Sequence, residues 1–499
     1  MTTVSELLST RLREMSAARA HEPALIAVDK GGRETVLNWE ELCSEVFGLA
    51  RPLHEVSRRR PQTVVYLRAP ADTQTAIVIL ACLLASVPVL AISTRADSAF
   101  EAAVVAEARR SLGEPVHASH VLDLLAGPSG GAPNDEQAAL SSAGKPLFVL
   151  TSSGSTGTPK VIPHWRLFGA TVRGVRNLMF VRSGALPRQH RLIIASLYHY
   201  FPFATLIECV VGGGTAVLQE RFVPVTTLDL LAAHHVEWTM LNPFQMGELL
   251  NTPGDLASSV VSLNGLLHGA GPCPRHIKYE WLRVLSPHRL FEVYGATEGA
   301  GATLASGTEW LERPGTVGRG FFTQVSAWRD DGQPCRPHEV GRVFLRPLGS
   351  GEPLRPWLPR RVDGAQSFGD LGWLDDDGYL FIAGRESDQV EVNGESVTPE
   401  QVDACIHTLE GVRDVLTFIV EDREGNSVEL HAVVVPRTGA TITRDAVLDL
   451  CRRSLNPSSV PVSAELVSAL PRTAVGKIRR RLSQNEYEEM LNACPSAGT

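Results

Sequence analysis

Ten residues, Thr151–Lys160, combine side chains that together can hold a chain of phosphates. They read TSSGSTGTPK and follow Leu147–Leu150, an apolar run typical of a buried strand. Glycine lets the backbone approach a ligand and turn its N–H groups toward an anion, while hydroxyl groups donate to phosphate oxygens and lysine adds positive charge. The pattern predicts a phosphate-binding loop leaving a strand. It is not a Walker A motif, because Val161 rather than Ser or Thr follows the lysine.

Later segments carry further residues suited to nucleotide chemistry. In Tyr294–Gly299 (YGATEG), Glu298 would repel a phosphate unless a metal ion lay between them, so it is a candidate Mg²⁺ ligand. In Gly369–Gly372, Asp370 can accept hydrogen bonds from two ribose hydroxyls. The remaining two segments are Gly384–Gly394, which begins with Gly-Arg, and the basic segment Pro471–Lys477.

The elements that must position these residues alternate between strand and helix. Val64–Leu67 and Pro88–Ile92 read as strands, with a helix predicted over Thr73–Leu84 between them. Leu192–Ser196 and Leu290–Val293 are further predicted strands that end in polar or glycine-rich tips. Because ligands bind beyond the carboxyl ends of parallel strands, we expect the site at these tips.

The predicted fold class is α/β with two domains. We expect a large N-terminal domain, residues 1–384, of parallel-type sheets covered by helices, with a β-rich subdomain from Gly315 to Ala383. A small α+β C-terminal domain follows at residues 385–499; its mobility is implied only by the family resemblance given below. A chain of 499 residues exceeds one ordinary core, which agrees with this division.

Composition excludes several classes. The net charge of −8 disfavours nucleic-acid binding, and eight cysteines without a CxxC pair fit a reducing compartment better than a zinc or disulfide scaffold. The N-terminus lacks the apolar core of a signal peptide, and the longest apolar run, Ala76–Ile92, is short for a membrane span. We therefore expect a cytoplasmic monomer or homodimer without a membrane span.

The set of motifs, in this order, resembles the adenylate-forming superfamily: acyl- and aryl-CoA synthetases, peptide-synthetase adenylation domains and luciferases. Stand-alone aryl-acid adenylating enzymes are the most similar in pattern. The agreement extends from about residue 20 to 480. The motifs that carry it are TSSGSTGTPK, YGATEG, PGTVGRG (Pro314–Gly320), GDLGWLDDDGYL, GRESDQVEVNGESVTPEQVD and PRTAVGKI.

This resemblance implies that a carboxylate attacks the α-phosphate of ATP, giving acyl-AMP and pyrophosphate, and that a thiol then attacks the acyl-AMP. Thr297 would touch the α-phosphate, Glu298 would bind Mg²⁺, and Lys477 would bridge the carboxylate and the α-phosphate. With His199, these form the candidate catalytic group. The implied ATP- and AMP-binding residues are Thr151, Ser152, Ser153, Gly154, Ser155, Thr156, Gly157, Lys160, Gly269, Ala270, Gly271, Val293, Tyr294, Gly295, Ala296, Thr297, Asp370, Arg385 and Lys477.

Within that set, the resemblance places Tyr294 on the adenine, Asp370 on the ribose, and Arg385 on the ribose or a phosphate. It also implies that the small domain rotates about a hinge two residues after this arginine. The family usually has Asp or Lys at the hinge, whereas this chain has Ser387, followed by Asp388.

The acid pocket is expected in Leu197–Phe203, Gly265–Gly271 and Leu241–Met246. Within the first stretch, His199–Phe203 (HYFPF) resembles the H-N-Y/F-P pattern of aryl-acid enzymes with Tyr200 in place of Asn. No acidic residue lies near His199 to bind an ammonium group, so a free α-amino acid is not expected. Glu208 is interpreted as structural, and His199 as either a gate or a packed histidine. The pocket residues are predicted to be Tyr198, His199, Tyr200, Phe203, Phe244, Gly269 and Gly295.

The predicted function is an ATP- and Mg²⁺-dependent ligase that activates an aromatic or arylacrylic acid, with a medium-chain acid as second choice. The acceptor is coenzyme A or the phosphopantetheine of a separate carrier protein. A relative that adenylates nitrite and transfers it to an amine is an alternative, as is a nucleotide-binding protein without catalysis. A P-loop NTPase is the last alternative, and it would release inorganic phosphate.

Overall fold

The computed structural model describes residues 3–119, 146–152, 160–165, 171–172, 176–348, 358–392, 395–421, 428–437, 439–470 and 479–494. The first elements are α1 (Val4–Ala18), β1 (Pro23–Val28), β2 (Glu34–Asn38), α2 (Trp39–Arg59), β3 (Thr63–Arg68), α3 (Thr73–Leu84), β4 (Val89–Ile92), α4 (Ser98–Ser111), β5 (Glu114–His117), β6 (Phe148–Ser152), β7 (Lys160–His164), β8 (Thr171–Val172), β9 (Arg176–Asn177) and α5 (Leu178–Arg182). Next come β10 (Arg191–Ile194), α6 (Tyr200–Gly212), β11 (Ala216–Gln219), α7 (Pro224–Ala233), β12 (Trp238–Leu241), α8 (Pro243–Asn251), α9 (Leu256–Ser259), β13 (Gly265–His268), α10 (Arg275–Val284), β14 (Leu290–Gly295), β15 (Ala302–Ser306), α11 (Gly307–Glu312) and β16 (Arg319–Gly320).

Two sheets with parallel centres organise these elements. Within the described residues, one has the strand order β16-β15-β14-β13-β12-β10-β11-β1-β2, and its neighbours from β14 to β1 run parallel. The other has the order β5-β3-β4-β6-β7, with β7 antiparallel to β6. The predicted α/β class is therefore confirmed. The predicted helix at Thr73–Leu84 is confirmed as α3.

The first sheet is buried on both faces, which explains the continuous apolar runs of its strands. Leu267 and Val293 belong to a core that also includes α1, α2, α3 and α6. Leu266 and Leu290 face the opposite core, which is formed with α7, α8 and α10. Side chains on opposite faces of one strand therefore pack into different hydrophobic cores.

The segment after β16 becomes β-rich, as expected. It contains β17 (Thr323–Trp328), β18 (Gly341–Pro347), β19 (Asp370–Leu374) and β20 (Leu380–Arg385). These strands pair consecutively in an antiparallel sheet with a small core of its own. Asp370 begins β19 and Arg385 ends β20, so the sheet places two candidate site residues directly opposite each other.

The last part of the chain is a mixed α+β unit. It contains β21 (Val390–Val392), β22 (Glu395–Val397), α12 (Pro399–Ile406), β23 (Val412–Glu421), β24 (Val428–Pro436), α13 (Arg444–Ser454), β25 (Ser463–Leu466), β26 (Arg481–Ser483) and α14 (Gln484–Ala493). The sheet order is β25-β24-β23-β26, and apolar clusters cover both faces. The division into domains at 384/385 stays a prediction.

Helix α10 contacts this C-terminal unit. Arg437 Nη2 donates to Glu280 Oε1 over 3.0 Å, and the rings of His276 and His407 lie 5.2 Å apart between centroids. His276 and Glu280 are four residues apart and therefore share one face of the helix. Among the described helices, none is long and apolar enough to cross a membrane.

Candidate active site

The two ends of the predicted phosphate loop are strand residues rather than loop residues. Thr151 and Ser152 belong to β6 and Lys160 begins β7, with Ser152 paired to Lys160 across the hairpin. The backbone hydrogen bonds of this pairing fix both ends of the segment between them. Ser153, Gly154, Ser155, Thr156 and Gly157 lie outside the described residues.

The turn after β13 holds the backbone in a strained conformation. Ala270 has φ +71°, a left-handed value that side chains other than glycine rarely adopt. A Cβ added at Gly269 would lie 2.6 Å from the carbonyl oxygen of Val293, so this position requires glycine. Strained backbone of this kind is typical of functional sites, where the surrounding structure stabilises it. Gly269 is buried, whereas Ala270 and Gly271 are exposed and available to a ligand.

Tyr294, Asp370 and Arg385 are brought together at the end of β14. The Tyr294 hydroxyl donates to Asp370 Oδ2 over 2.7 Å, and Arg385 Nε donates to Asp370 Oδ1 over 3.0 Å. Burial, followed by the nearby carboxylate, raises the pKa of Tyr294, so its hydroxyl stays protonated and keeps donating. Asp370 is buried and Arg385 is half exposed. The two hydrogen bonds therefore hold the Asp370 carboxylate in one orientation, with Tyr294 on its buried side and Arg385 on its open side.

Thr297 and Glu298 follow in a turn that Gly299 closes by donating its N–H to the Ala296 carbonyl. Both side chains are partly exposed, and Gly295 just before them is exposed. No cluster of three or more metal-ligating side chains occurs in the described parts of the chain. Mg²⁺ usually takes one or two protein carboxylates and completes its shell with phosphates and waters, so a single Glu298 fits such a role.

The segment after β10 joins the carboxyl ends of the two sheets. The strand ends at Ile194 rather than at the predicted Ser196, because Ala195 has φ +86°, which strand geometry excludes. Leu197 N–H donates to the Ala69 carbonyl beyond β3. Tyr198 and His199 are partly buried there with their ring centroids 3.8 Å apart. These two predicted pocket residues therefore lie where both sheets present their carboxyl ends.

The other predicted pocket aromatics occupy different surroundings. Tyr200 opens α6 and its ring lies 6.3 Å from Phe148, at the start of the phosphate-loop hairpin. Phe203 is completely buried and stacks on Phe148 at 4.5 Å, so it packs in the core of the structure. Phe244, at the start of α8, contacts Phe222 at 6.3 Å.

The predicted hinge residue, Ser387, is exposed in a short 3₁₀ turn between β20 and β21. Its hydroxyl donates to Asp388 Oδ1 over 3.0 Å. Just before it, Gly384 has φ +154°, and a Cβ there would lie 3.1 Å from Thr398. Lys477 lies outside the described residues, so its role stays a prediction from the sequence.

One cluster next to the site was missed by the sequence analysis. Lys278 of α10 contacts both His268, the last residue of β13, and Glu292 of β14, and all three are buried. The sequence did contain a signal for this cluster: each of the three elements has a polar residue at an inward-facing position. Charged side chains are buried only when they are paired, so these residues had to be partners. We call these three residues the Lys278 cluster.

Comparison with known proteins agrees with this geometry. The family model of the AMP-binding enzyme matches residues 12–349. Feruloyl-CoA synthase from Amycolatopsis sp is 28% identical over 91% of this chain and 94% of its own length. 2-Succinylbenzoate–CoA ligase from Bacillus velezensis is 27% identical over 68% of this chain and 69% of its own. O-Succinylbenzoate coenzyme A synthetase from Bacillus subtilis, solved with ATP and magnesium ion, superposes with a TM-score of 0.71 at 21% identity, covering 94% of this chain and 98% of that structure.

Proposed function

Because the chain belongs to the AMP-binding enzyme family, we propose that it adenylates an aromatic or arylacrylic acid and transfers the acyl group to coenzyme A. The chain is an AMP-forming acid–thiol ligase, and its cofactors are ATP and Mg²⁺. The proposal adds the class of acid, the acceptor and the residues that act.

The observation that carries the proposal is the array of Tyr294, Asp370 and Arg385 at the end of β14. An aromatic ring, an oriented carboxylate and a half-exposed guanidinium suit a base, a ribose and a phosphate respectively. Tyr294 lies on β14, which pairs in parallel with β13, and β13 leads directly into the strained turn at Gly269–Gly271. We call the space between this turn and Tyr294 the adenine slot.

The chemistry consists of two displacements. A carboxylate oxygen of the acid attacks the α-phosphorus of ATP, and the bond to the bridging oxygen of pyrophosphate breaks. A thiolate sulfur then attacks the acyl carbon, and AMP leaves with the electrons of the acyl–oxygen bond. Because the first step brings two anions together, positive charge is needed at the α-phosphate: Glu298 would hold Mg²⁺, which would supply part of that charge, and Lys477 would supply the rest.

The aromatic acid is supported by the rings that follow β10. Tyr198 and His199 contact each other at the meeting point of the two sheets, and Tyr200 lies next to the phosphate-loop hairpin. Burial raises the pKa of Tyr198, so this side chain presents a neutral hydroxyl and a largely apolar ring. Aromatic rings favour stacked or edge-to-face contact with another ring. Feruloyl-CoA synthase among the relatives agrees with this class of acid.

A panel of acids in a pyrophosphate-release assay tests the proposal. We expect benzoic and cinnamic acids to stimulate release of pyrophosphate and AMP, and coenzyme A to yield the corresponding thioester. Medium-chain acids as the better substrates would contradict the aromatic pocket. Loading of a carrier protein, or transfer to an amine with nitrite as the activated anion, would contradict coenzyme A as acceptor.

Lys477→Ala tests the proposed role of the C-terminal lysine. We expect the adenylation rate to fall about 10²- to 10³-fold, because one well-placed transition-state donor is worth that much. ATP binding should be almost unchanged. Stopped-flow pyrophosphate release and calorimetric ATP titration measure the two quantities.

Lys30→Ala is the matched control, since Lys30 is an exposed lysine paired with Glu220. Its rate should equal that of the wild type. Equal rates for both variants would show that Lys477 does not act in the first step.

A further inference from the structure

The Lys278 cluster joins two strand ends through one buried ammonium group. Lys278 Nζ donates to His268 Nε2 over 2.6 Å and to Glu292 Oε2 over 2.5 Å. The ring of Trp310 lies 5.3 Å from the same nitrogen. Lys278 is 1% exposed, so water contributes almost nothing to holding its charge. The cation is instead stabilised by one carboxylate, one imidazole and one aromatic face.

The protonation state of His268 agrees with these contacts. Burial, followed by the charge of Lys278, keeps the pKa of His268 well below its ordinary value, so the imidazole is neutral. Its Nε2 can then accept a hydrogen bond from Lys278, which leaves the ring proton on Nδ1. That atom is buried without a hydrogen-bond partner in the described structure. The Nδ1–H group of His268 is therefore a buried donor without an acceptor, which usually costs about 1–3 kcal/mol of folding free energy.

The cluster lies directly beneath the adenine slot. His268 is followed at once by Gly269, and Glu292 comes two residues before Tyr294 on the same face of β14. His268 and Glu292 are register partners in the sheet. The backbone at Gly269 packs so closely on the neighbouring strand that a Cβ there would lie 2.6 Å from the carbonyl oxygen of Val293, the residue before Tyr294. A small change in strand separation would therefore change the slot.

We propose that Lys278 is a positioning residue that fixes the separation of the two walls of the adenine slot, and through it the affinity for the base of ATP. The inference rests on the proposed assignment of Gly269–Gly271 and Tyr294 to adenine. It differs from a structural role, in which removing the cluster would weaken the fold alone.

Arg191 and Glu208 provide the control for that distinction. They form a second buried ion pair in the same sheet, 3.0 Å apart and 1% and 2% exposed. Arg191 is the first residue of β10, at the amino end of its strand, so this pair lies away from the carboxyl ends that form the site. Replacing either pair by uncharged residues of similar size should have similar effects on stability.

The test compares Lys278→Met/Glu292→Gln with Arg191→Met/Glu208→Gln. We expect the first double variant to bind ATP about tenfold more weakly, since small misplacements of binding groups cost this much or more. Its turnover at saturating ATP should stay within about twofold of the wild type, since the reacting groups are unchanged. Inorganic tripolyphosphate, which lacks the base, should bind as it does to the wild type. The control double variant should bind both ligands normally.

The outcomes separate the hypotheses. Unchanged ATP affinity in Lys278→Met/Glu292→Gln, or equal losses in both double variants, would overturn the positioning role. If that double variant does not fold, Glu292→Gln alone carries the test. Its amide oxygen still accepts from Lys278, which favours folding, but loss of the negative charge weakens the hold on Lys278, so a smaller, selective loss of ATP affinity is expected. Failure of the wild type to bind ATP more tightly than tripolyphosphate would instead reject the adenine slot itself.

Discussion

The two buried ion pairs of the large sheet have similar surroundings but different neighbours. Arg191 pairs with Glu208, and Lys278 with Glu292, and each cation lies within 6 Å of a tryptophan ring, at 5.9 Å and 5.3 Å respectively. The first pair joins the start of β10 to α6. The second joins α10 to strands β13 and β14, whose carboxyl ends lead into the proposed nucleotide site. Burial alone therefore predicts the energetic cost of losing a pair, whereas position along a parallel strand predicts whether function is also affected.

The largest expected effect is common to both pairs. Arg191→Met and Lys278→Met each leave a carboxylate buried without its cation, which we expect to destabilise the fold by about 3–5 kcal/mol. Urea unfolding measures the loss. Arg191→Met combined with Glu208→Gln should recover most of it. A much smaller loss at Lys278 than at Arg191 would contradict the similarity of the two pairs.

The next effect should appear only at the carboxyl edge of the sheet. Asp370→Asn keeps an acceptor for Tyr294 but removes the charge that Arg385 contacts and that, under the proposed function, would hold the ribose hydroxyls. We expect kcat/KM for ATP to fall about 10- to 100-fold, the range for a charged hydrogen bond worth about 1.5–3 kcal/mol. Initial rates of AMP formation measure this change.

Asp376→Asn is the matched control for that substitution. Its carboxylate is 82% exposed and contacts only His338 among the described ion pairs. Its kcat/KM should equal the wild-type value. A comparable loss in both variants would remove Asp370 from the nucleotide site.

The smallest effect concerns the outer face of α10, where His276 faces His407, Arg437, Glu280 and Asp414. Burial, followed by the neighbouring histidine, lowers the pKa of His276 to about 4, from an ordinary value of 6.5. The unfolded chain therefore binds more protons between these values. Stability from His276 is complete above about pH 6.5 and is lost as the pH falls toward 4.

His276→Gln should flatten this part of the stability profile, as measured by urea midpoints across that range. His21→Gln is the control, since His21 is 88% exposed and should leave the slope unchanged. An unaltered slope in His276→Gln would show that the histidine pair does not contribute.

The sequence predicted the elements whose pattern is local. Thr73–Leu84 is helical because its apolar residues and the Asp72 cap act within the segment. The end of β10 was wrong by two residues, since the left-handed backbone at Ala195 depends on contacts with the other sheet. The hairpin that closes the phosphate loop was also missed, because strand pairing across that loop leaves no periodic signal.

The candidate site likewise contains residues that the sequence predicted and residues that it did not. Tyr294, Asp370 and Arg385 were predicted from motifs, and the structure brings them into hydrogen-bond contact. Lys278 could not be assigned from its own helix, because its partners lie on two distant strands. Phe203 was predicted as a pocket residue from the HYFPF pattern; the structure buries it completely against Phe148, and its role in the pocket stays a prediction.

Helix α10 carries the cluster on one face and meets the C-terminal unit on the other. Protein interiors are packed as densely as organic crystals and compress very little. We therefore expect this ten-residue helix to transmit a displacement at Glu280 to the two strands that Lys278 contacts. If the C-terminal unit moved away, α10 would lose its contact at Glu280, whereas Lys278 would still hold the opposite face.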